Sequence, residues 1–574
     1  MAGMVRRAAA AALLLFSFGA AAQPQSEAGS GWSEKPAVTA RHDMVVAANP
    51  LAVDAGLEVL RAGGGAVDAA IAVQLVLGLV EPQSSGIGGG AFMLHWSRAE
   101  RRVQSYDGRE TAPAAARPER FLDALGQPLP FFDAVVSGKS VGVPGVLRML
   151  ELAHRRHGRL PWARLFEPAL RLAVQGFAVS PRLHRLLERD RYLREDPAAR
   201  DLYYDAGGQA LPVGARLVNP QYAATLREVA ARGADAFYDG PIAEDLVRAV
   251  RAHRRPGDMT LADLRAYRAL ERVPLCGAYR GRRICGMGPP SAGAVTLLEL
   301  LGILERTAFE RAKPGSVEAV HLFAEASRLA YADRARYVAD PDFVAVPVKG
   351  LLAPAYLSAR AKLIGKRSMG HAESGHPAGA RALADVPETE RAGTSHMSIV
   401  DARGDAVAMT TTIENAFGSR IMVRGFLLNN ELTDFSFRPE VHGMPAANRV
   451  EPGKRPRSTM APTLVFGHDG RLKMLIGSPG GPAIVEYVAK TLVGTLDWGL
   501  DIQDAISLPN FGSTNGPTLI ERGTAYDALA DALAERGHVL NFAILTSGLH
   551  GIERSPQGWR GGADPRREGV ARGD

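Results

Sequence analysis

One threonine in this 574-residue sequence stands where a side-chain hydroxyl could become a nucleophile. It is Thr394, which follows Gly393 at the point where a polar segment meets a predicted β-strand. The segment 366–391 is rich in Gly, Pro, Ser and Ala, a composition that predicts an exposed loop. Residues 394–400 then show a period of two, and a short turn leads to a second predicted strand over 406–413. The pattern places one hydroxyl at a loop-to-strand junction.

A threonine behind a glycine offers a route to self-cleavage. Thr394 Oγ1 could attack the Gly393 carbonyl, shift the acyl group from nitrogen to oxygen, and release a new chain end on hydrolysis. The freed α-amine, with a pKa of roughly 7.7–8, could then act as the base for its own hydroxyl. The competing interpretation is that Gly-Thr before a strand is ordinary loop sequence.

Two further features could bind charge. Arg109 follows a predicted strand and lies next to Gly108, so its guanidinium could hold a carboxylate through two parallel hydrogen bonds, or it could be a solvated surface arginine. Gly480 and Gly481 precede a predicted helix over 483–493. Backbone N–H groups at such a helix start could form an oxyanion hole.

A second nucleophile pattern occurs at Gly138-Lys-Ser140-Val-Gly142, which matches the nucleophile elbow of α/β-hydrolases. Pro144 and Gly145 stand where the helix of an elbow should begin, so an esterase using Ser140 is kept as an alternative. The glycine-rich run 84–92 fits neither common nucleotide-binding fingerprint, and it predicts a tight approach of backbone segments instead.

The predicted elements alternate between strands and helices. Asn49-Pro50 marks a helix start, and the apolar run 66–80 predicts a buried helix. Residues 146–270 are predicted to be mostly helical, and the tail from Glu553 is predicted to be loose. The other predicted elements are strands 43–48, 92–96, 103–107, 426–429, 462–466, 473–477 and 539–545, and helices 50–61, 295–306, 317–332 and 527–536. Strand layers with helices on both sides indicate an α/β sandwich.

Composition excludes some classes of protein. Hydrophobic residues make up 46% and charged residues 22%, as in globular domains. The formal charge is 68 − 61 = +7, which is mild for this length. No run of basic residues with interleaved aromatics occurs, so we expect no nucleic-acid partner.

Residues 1–22 have the form of a secretory signal: Arg6 and Arg7, an apolar centre over 8–18, and small residues before Gln23. The alternative is a membrane anchor, but the apolar run is short for a helix that spans a bilayer. We therefore expect a periplasmic or secreted protein with no membrane attachment once the signal is removed. Cys276 and Cys285 flank a predicted hairpin and could form a disulfide or stay free; they do not predict a zinc site.

Five motifs occur in a fixed order along the second half of the chain. They are GTSHMSIVD (393–401), TTTIENAFG (410–418), LNNELTDF (428–435), PGKRPRSTM (452–460) and GSPGG (477–481). Together they resemble the γ-glutamyltransferase family (γ-glutamyltranspeptidase, glutathione hydrolase), from about Ala37 to the C-terminal region. The resemblance implies the four-layer αββα sandwich of N-terminal-nucleophile hydrolases, with a largely helical portion in the N-terminal part. It also implies cleavage between Gly393 and Thr394 into a large subunit, 23–393, and a small catalytic subunit, 394–574, that stay together as a heterodimer.

The resemblance assigns a role to each matching residue. Thr394 would be the nucleophile, and Thr412 would orient its hydroxyl. Gly480 and Gly481 would supply the oxyanion hole. The substrate α-carboxylate would bind Arg109, Ser458 and Thr459, and its α-ammonium would bind Glu414, Glu431 and Asp434. This chemistry requires no metal ion or organic cofactor.

Three departures from the family pattern concern the substrate. Glu414 stands where some relatives have Asn, Thr459 replaces one Ser of the usual Ser-Ser pair but keeps a hydroxyl, and 435–448 lacks the Tyr of a lid found in some relatives. The expected reaction is attack on the γ-glutamyl amide of glutathione or related compounds, with transfer to water or to an amino acid or peptide. The alternatives are an acylase for glutaryl-type amides, as in cephalosporin acylases, the Ser140 esterase, and an uncleaved, inactive binding protein. The carboxylates expected to bind an ammonium group argue against an acylase, because a glutaryl group has no amine.

Overall fold

Two stacked antiparallel sheets dominate the structure, a computed structural model that describes residues 29–386, 390–391 and 393–574. The proposed signal, 1–22, lies outside the described residues. In chain order the strands are β1 Val38–Ala40, β2 Met44–Ala47, β3 Gly90–Ser97, β4 Arg102–Gly108, β5 Phe177–Ala178, β6 Arg216–Leu217, β7 Leu270–Arg272, β8 Leu275–Tyr279, β9 Arg282–Gly286, β10 Thr394–Val400, β11 Ala406–Thr412, β12 Met422–Val423, β13 Phe426–Leu427, β14 Glu440–Val441, β15 Met444–Pro445, β16 Thr463–Phe466, β17 Leu472–Gly477, β18 Phe511–Gly512, β19 Thr518–Glu521, β20 Leu540–Ala543, β21 His550–Ser555, β22 Gly558–Ala563 and β23 Val570–Gly573.

Helices cover the outer faces of the sheets. They are α1 Pro50–Arg61, α2 Ala66–Val80, α3 Phe131–Val135, α4 Val146–His157, α5 Glu167–Gln175, α6 Pro181–Arg189, α7 Pro197–Tyr203, α8 Pro220–Arg232, α9 Asp235–Tyr238, α10 Pro241–Ala252, α11 Leu261–Ala266, α12 Gly293–Leu304, α13 Val317–Tyr337, α14 Val348–Leu351, α15 Pro354–Ala361, α16 Ile484–Leu496, α17 Ile502–Ser507 and α18 Ala530–Glu535. Short 3-10 turns occur at Gly138–Ser140, Trp162–Phe166, Leu193–Glu195, Phe309–Arg311, Glu431–Asp434, Gly481–Ala483 and Ala525–Leu529.

The layers stack as helices, sheet, sheet and helices. The first sheet has the order β1-β22-β21-β17-β16-β9-β8, and the second has the order β23-β2-β10-β11-β3-β4-β7. Helices α1 and α2 pack on the second sheet, while α12, α16 and α17 pack on the first. Apolar side chains such as Val46, Leu94 and Phe466 fill the space between the sheets. This is the four-layer αββα sandwich that was expected, and the helical N-terminal portion is confirmed by α4–α11.

Local sequence signals explain the helices nearest the nucleophile. Asn49 caps α1 by accepting from the Leu51 backbone N–H at 3.0 Å, with Pro50 in the first turn, so α1 has the predicted bounds. Every residue of α2 is buried, Asp68 and Gln74 included, which agrees with its mostly apolar composition and its position between the second sheet and the outer helices. Cys276 and Cys285 face each other across the β8–β9 hairpin and are joined by a disulfide.

The prediction of a loose tail from Glu553 was wrong. Strand β22 lies between β1 and β21 in the first sheet, and β23 pairs with β2 at the edge of the second. These strands are short and rich in Gly and Arg, with few β-branched residues, so their composition does not mark them as strands. Pairing with distant strands creates them. The predicted helix 527–536 is also divided into a 3-10 turn and α18.

A helix needs about 20 mostly apolar residues to span a lipid bilayer. Among the residues that the structure describes, no helix is both long enough and apolar enough to cross one.

Candidate active site

Thr394 is the first residue of β10, an inner strand of the second sheet. It lies directly opposite Thr412, the last residue of β11, and Thr412 in turn lies opposite Gly90 at the start of β3. A Cβ added to Gly89 would lie 2.0 Å from the Thr412 carbonyl oxygen, so the glycine-rich run allows the backbone to approach this end of the sheet closely, as predicted. The nucleophile candidate is therefore held by three neighbouring strands.

The peptide bond before Thr394 is held by Thr412 and Glu414. Thr412 Oγ1 donates to the Gly393 carbonyl oxygen at 2.6 Å and accepts from the Glu414 backbone N–H at 2.8 Å. The sequence predicted that Thr412 would orient the hydroxyl of Thr394; in the continuous chain it contacts the carbonyl that this hydroxyl would attack. A Cβ at Gly393 would lie 1.7 Å from the Glu414 carbonyl oxygen, which explains the glycine at this position.

Replacing Thr412 with valine should slow cleavage of the Gly393–Thr394 bond. The variant keeps the shape of the side chain but loses the hydroxyl that polarises the Gly393 carbonyl. By analogy with an oxyanion donor, we expect a loss on the order of 10²–10³ in rate. The measurement is the time course of fragment appearance on denaturing gels. Thr412→Ser keeps the donor and should cleave at a rate near that of the wild type; equal rates for the valine and serine variants would contradict the role of the hydroxyl.

Gly480 and Gly481 follow β17, whose last residue, Gly477, lies against the ring of His396 on β10. Both residues have positive φ, 137° and 56°, and a Cβ on Gly480 would lie 2.6 Å from the Tyr487 ring. Helix α16 begins after this turn, so the loop combines glycine backbone with a helix start; its role as an oxyanion hole stays a prediction. Burial lowers the pKa of His396 to about 3, so this histidine is neutral and is not a proton-transfer candidate at neutral pH.

Arg109, Glu431 and Asp434 form a buried ion cluster. Arg109 lies just beyond the end of β4, and its side chain donates to Glu431 and, at 2.5 Å, to Asp434. It also donates to the backbone carbonyls of Pro456 and Arg457, at 3.1 and 2.9 Å. The two carboxylates are placed by the 3-10 turn Glu431–Asp434. The three residues predicted to bind opposite ends of one substrate thus lie together and, here, pair with one another.

Burial raises the pKa values of the carboxyl groups in this cluster, which also outnumber the nearby cations. Burial, followed by the negative charge of Glu431, raises the pKa of Glu414 to about 8. Burial also raises the pKa of Glu431 and of Asp434. Glu110, next to Arg109 and fully buried, has a pKa raised by burial and by Glu431. A site with this surplus of carboxyl groups favours a bound ammonium group.

Ser458 and Thr459 lie in the loop before β16. Ser458 Oγ accepts from the Met460 backbone N–H at 3.2 Å. The Thr459 backbone N–H donates to Glu390 Oε1 at 3.0 Å, and its hydroxyl contacts both Glu390 and Arg334. The sequence did not predict Glu390, Arg334 or Glu110 as site residues. Glu390 precedes the cleavage point by four residues and Glu110 adjoins Arg109, whereas no sequence signal marks Arg334.

The segment 435–448, which lacks the Tyr of a lid, packs onto aromatic residues. Phe437 stacks on Phe121 with ring centroids 4.7 Å apart, and Phe435 belongs to the same apolar cluster. Asn448 Nδ2 donates to the Asp434 carbonyl oxygen at 2.7 Å, so this segment also supports the turn that carries Asp434.

The alternative hypothesis of a nucleophile elbow at Ser140 is wrong. Ser140 is fully buried in a 3-10 turn that follows α3, not on a strand-to-helix turn. Its hydroxyl donates to the backbone carbonyls of Val135 and Ser137, at 2.7 and 2.8 Å. A hydroxyl used in this way caps a turn and is not activated by a histidine.

A four-layer αββα sandwich whose inner strand begins with a threonine is the architecture of the N-terminal-nucleophile hydrolases. The family model for γ-glutamyltranspeptidase matches residues 52–573. The glutathione hydrolase proenzyme of Bacillus subtilis (strain 168) is 36% identical, over 92% of this chain and 91% of that protein. The Acylase ACY 1 proenzyme of Pseudomonas sp. (strain SE83) is 35% identical, over 92% and 93%. The crystal structure of cephalosporin acylase from Bacillus halodurans superposes with a TM-score of 0.83 at 29% identity, over 94% and 97% of the two chains.

These comparisons decide the family. The chain belongs to the γ-glutamyltranspeptidase family, and it is an enzyme.

Proposed function

We propose that the protein cleaves γ-glutamyl amides, glutathione among them, through a γ-glutamyl ester on Thr394. The observation that carries the proposal is the buried cluster in which one cation, Arg109, meets the carboxylates of Glu431 and Asp434. An amino acid end has one carboxylate and one ammonium group, and the cluster offers a partner for each. Glu414 adds a further carboxyl group on the ammonium side.

The chain first has to cleave itself. Thr394 Oγ1 attacks the Gly393 carbonyl carbon, the C–N bond breaks, and the acyl group moves to the hydroxyl oxygen as an ester. Water hydrolyses the ester and leaves a carboxylate on Gly393 and a free α-amine on Thr394. Relatives named proenzymes support such a maturation. The products would be a large subunit, 23–393, and a small subunit, 394–574.

The mature site would then act on the donor. The α-amine of Thr394 accepts the hydroxyl proton while Oγ1 attacks the γ-carbonyl carbon. Gly480 and Gly481 would donate to the developing oxyanion. The C–N bond breaks, the leaving amine takes the proton, and the γ-glutamyl group stays on Thr394 as an ester. Water or the amine of an amino acid or peptide attacks this ester and regenerates the hydroxyl.

An acylase for glutaryl amides is the second candidate, and it is favoured by the acylase relatives and by the TM-score of 0.83 with a cephalosporin acylase. A glutaryl group keeps the carboxylate but has no ammonium group. The carboxyl groups of Glu431, Asp434 and Glu414 would then meet a substrate that brings no cation to balance their charge. The γ-glutamyl donor therefore fits this site better.

Export to the periplasm or the medium is part of the proposal. Residues 1–22 have the composition of a secretory signal, and the Cys276–Cys285 disulfide is typical of an oxidising compartment.

The experiment that tests the function combines N-terminal sequencing with two donors. Purified wild-type protein should give chains beginning near Gln23 and at Thr394. It should release more anilide from a γ-glutamyl anilide than from the matching glutaryl anilide, by at least tenfold in kcat/KM. Faster turnover of the glutaryl compound would favour the acylase, and a chain that is active without an N-terminal Thr394 would exclude both.

The pH dependence should depend on the donor. Glu414 has a pKa of about 8 because of burial and Glu431, so it is neutral below that pH and attracts an ammonium group less. For the γ-glutamyl anilide, kcat/KM should fall more steeply on the acid side than for the glutaryl anilide, because both Glu414 and the Thr394 amine have to lose a proton there. In Glu414→Asn this acid limb should become as shallow as the limb for the glutaryl anilide, which should not change. An unchanged limb for both donors would assign it to the Thr394 amine.

A further inference from the structure

The carboxylate of Glu390 lies in a buried anion-binding site close in sequence to the cleavage point. Oε1 accepts from the Thr459 backbone N–H at 3.0 Å, and Oε2 accepts from Arg334 Nη2 at 2.9 Å. Oε2 also contacts the Thr459 hydroxyl. Glu390 is only 7% exposed although it lies in the segment that leads to Gly393. A backbone donor, a hydroxyl and a guanidinium on one carboxylate make a strong anion site.

The cation in this place is Arg334, which projects from α13. It is buried, and burial together with the positive charge of Arg457 lowers its pKa to about 10. Two buried arginines close together favour an anion between them, because each guanidinium has lost its hydration. Arg334 also donates to the Thr459 hydroxyl, so the two residues form one unit.

Arg109 is engaged elsewhere. Its nitrogens donate to Glu431, Asp434 and two backbone carbonyls. The carboxylate of Glu390 contacts Thr459 and Arg334. It is nevertheless close to the ion cluster, since its charge is among the causes that raise the pKa of Asp434.

We propose that Arg334 is a further binding residue for the donor's α-carboxylate, and that Glu390 fills its place in the uncleaved chain. The inference rests on the proposed function, because it takes Thr459 as part of the carboxylate site. Cleavage after Gly393 makes Glu390 the fourth residue from the new chain end. The carboxylate that closed the site is then on a free tail, and a donor carboxylate can replace it.

One consequence concerns specificity in the mature enzyme. Arg334→Gln should lower kcat/KM at least tenfold for donors with the carboxylate, namely γ-glutamyl and glutaryl anilides. For the 4-aminobutyryl anilide, which keeps the ammonium group but lacks the carboxylate, the substitution should change kcat/KM less than threefold. Arg334→Lys should recover part of the loss. Equal losses on all three donors would mean that Arg334 only supports the fold, and would overturn the inference. If the wild type turns over none of these donors, the proposed function itself fails.

The second consequence concerns the uncleaved chain, which Thr394→Ala should preserve. L-Glutamate binding, measured by calorimetry, should be at least tenfold tighter in Thr394→Ala/Glu390→Gln than in Thr394→Ala alone. Glutamine has the shape of glutamate, so the substitution removes the charge and keeps the packing. Asp385→Asn, in the same linker, is the matched control and should leave the affinity unchanged. Equal affinities with and without the Glu390 substitution would show that this side chain does not occupy the donor's place.

Discussion

Replacing Thr394 with alanine should leave the protein as one uncut chain and abolish turnover of a γ-glutamyl anilide. The variant removes both the hydroxyl that attacks Gly393 and the nucleophile of the mature site. Loss of the nucleophile in a serine hydrolase costs on the order of 10⁶ in kcat. Thr394 is buried at the start of β10, and alanine fits there without a clash, so the fold should persist. Denaturing gels, N-terminal sequencing and anilide release measure the three effects.

Matched hydroxyl variants make this result specific. Thr394→Ser keeps a hydroxyl and an α-amine, so it should still cleave and turn over, at a reduced rate. Ser395→Ala removes the neighbouring hydroxyl, which is equally buried, and should behave like the wild type. Active protein in which Thr394 is still joined to Gly393 would contradict the mechanism.

Local sequence determines much of the sandwich. The Asn49 cap, the mostly apolar helix α2 and the paired strands β10 and β11 were predicted near their observed bounds, because each depends on neighbours in the chain. The stacking order of the layers was expected from the family resemblance. Strand β23 could not be predicted, because it becomes a strand only through pairing with β2 at the other end of the sequence.

The candidate site divides in the same way. Thr394, Gly480 and Gly481 have visible local signals: a loop-to-strand junction and a glycine pair before a helix. Arg334 has none, since its contact with Glu390 joins a helix to a segment 56 residues further along the chain. The pairing of Arg109 with Glu431 and Asp434 could not be predicted from the sequence either, because it depends on how close the three side chains lie. Residue type predicted the charges; only the structure gives their partners.

Replacing Arg109 with glutamine should destabilise the uncleaved chain strongly. Arg109 is fully buried, and its removal leaves Glu431 and Asp434 without their main cation. Breaking a buried ion pair by removing one partner costs about 3–5 kcal/mol. The measurement compares the free energy of unfolding in denaturant of Thr394→Ala and Thr394→Ala/Arg109→Gln, so that both chains are uncut.

The pH dependence of the stability loss and two control variants show whether the loss of Arg109's positive charge causes it. Without Arg109, the pKa values of Glu431 and Asp434 should rise further, so the stability deficit should be largest at pH 8 and should shrink at pH 5, where the carboxyl groups take up protons. Adding Asp434→Asn to Arg109→Gln should recover part of the loss, since it removes one of the two negative charges that Arg109 balances. Arg117→Gln, at an exposed arginine, should change stability by less than about 0.5 kcal/mol. If Arg109→Gln unfolds like its parent at pH 8, the buried carboxyl groups are neutral there, and the site holds no charge ready for an ammonium group.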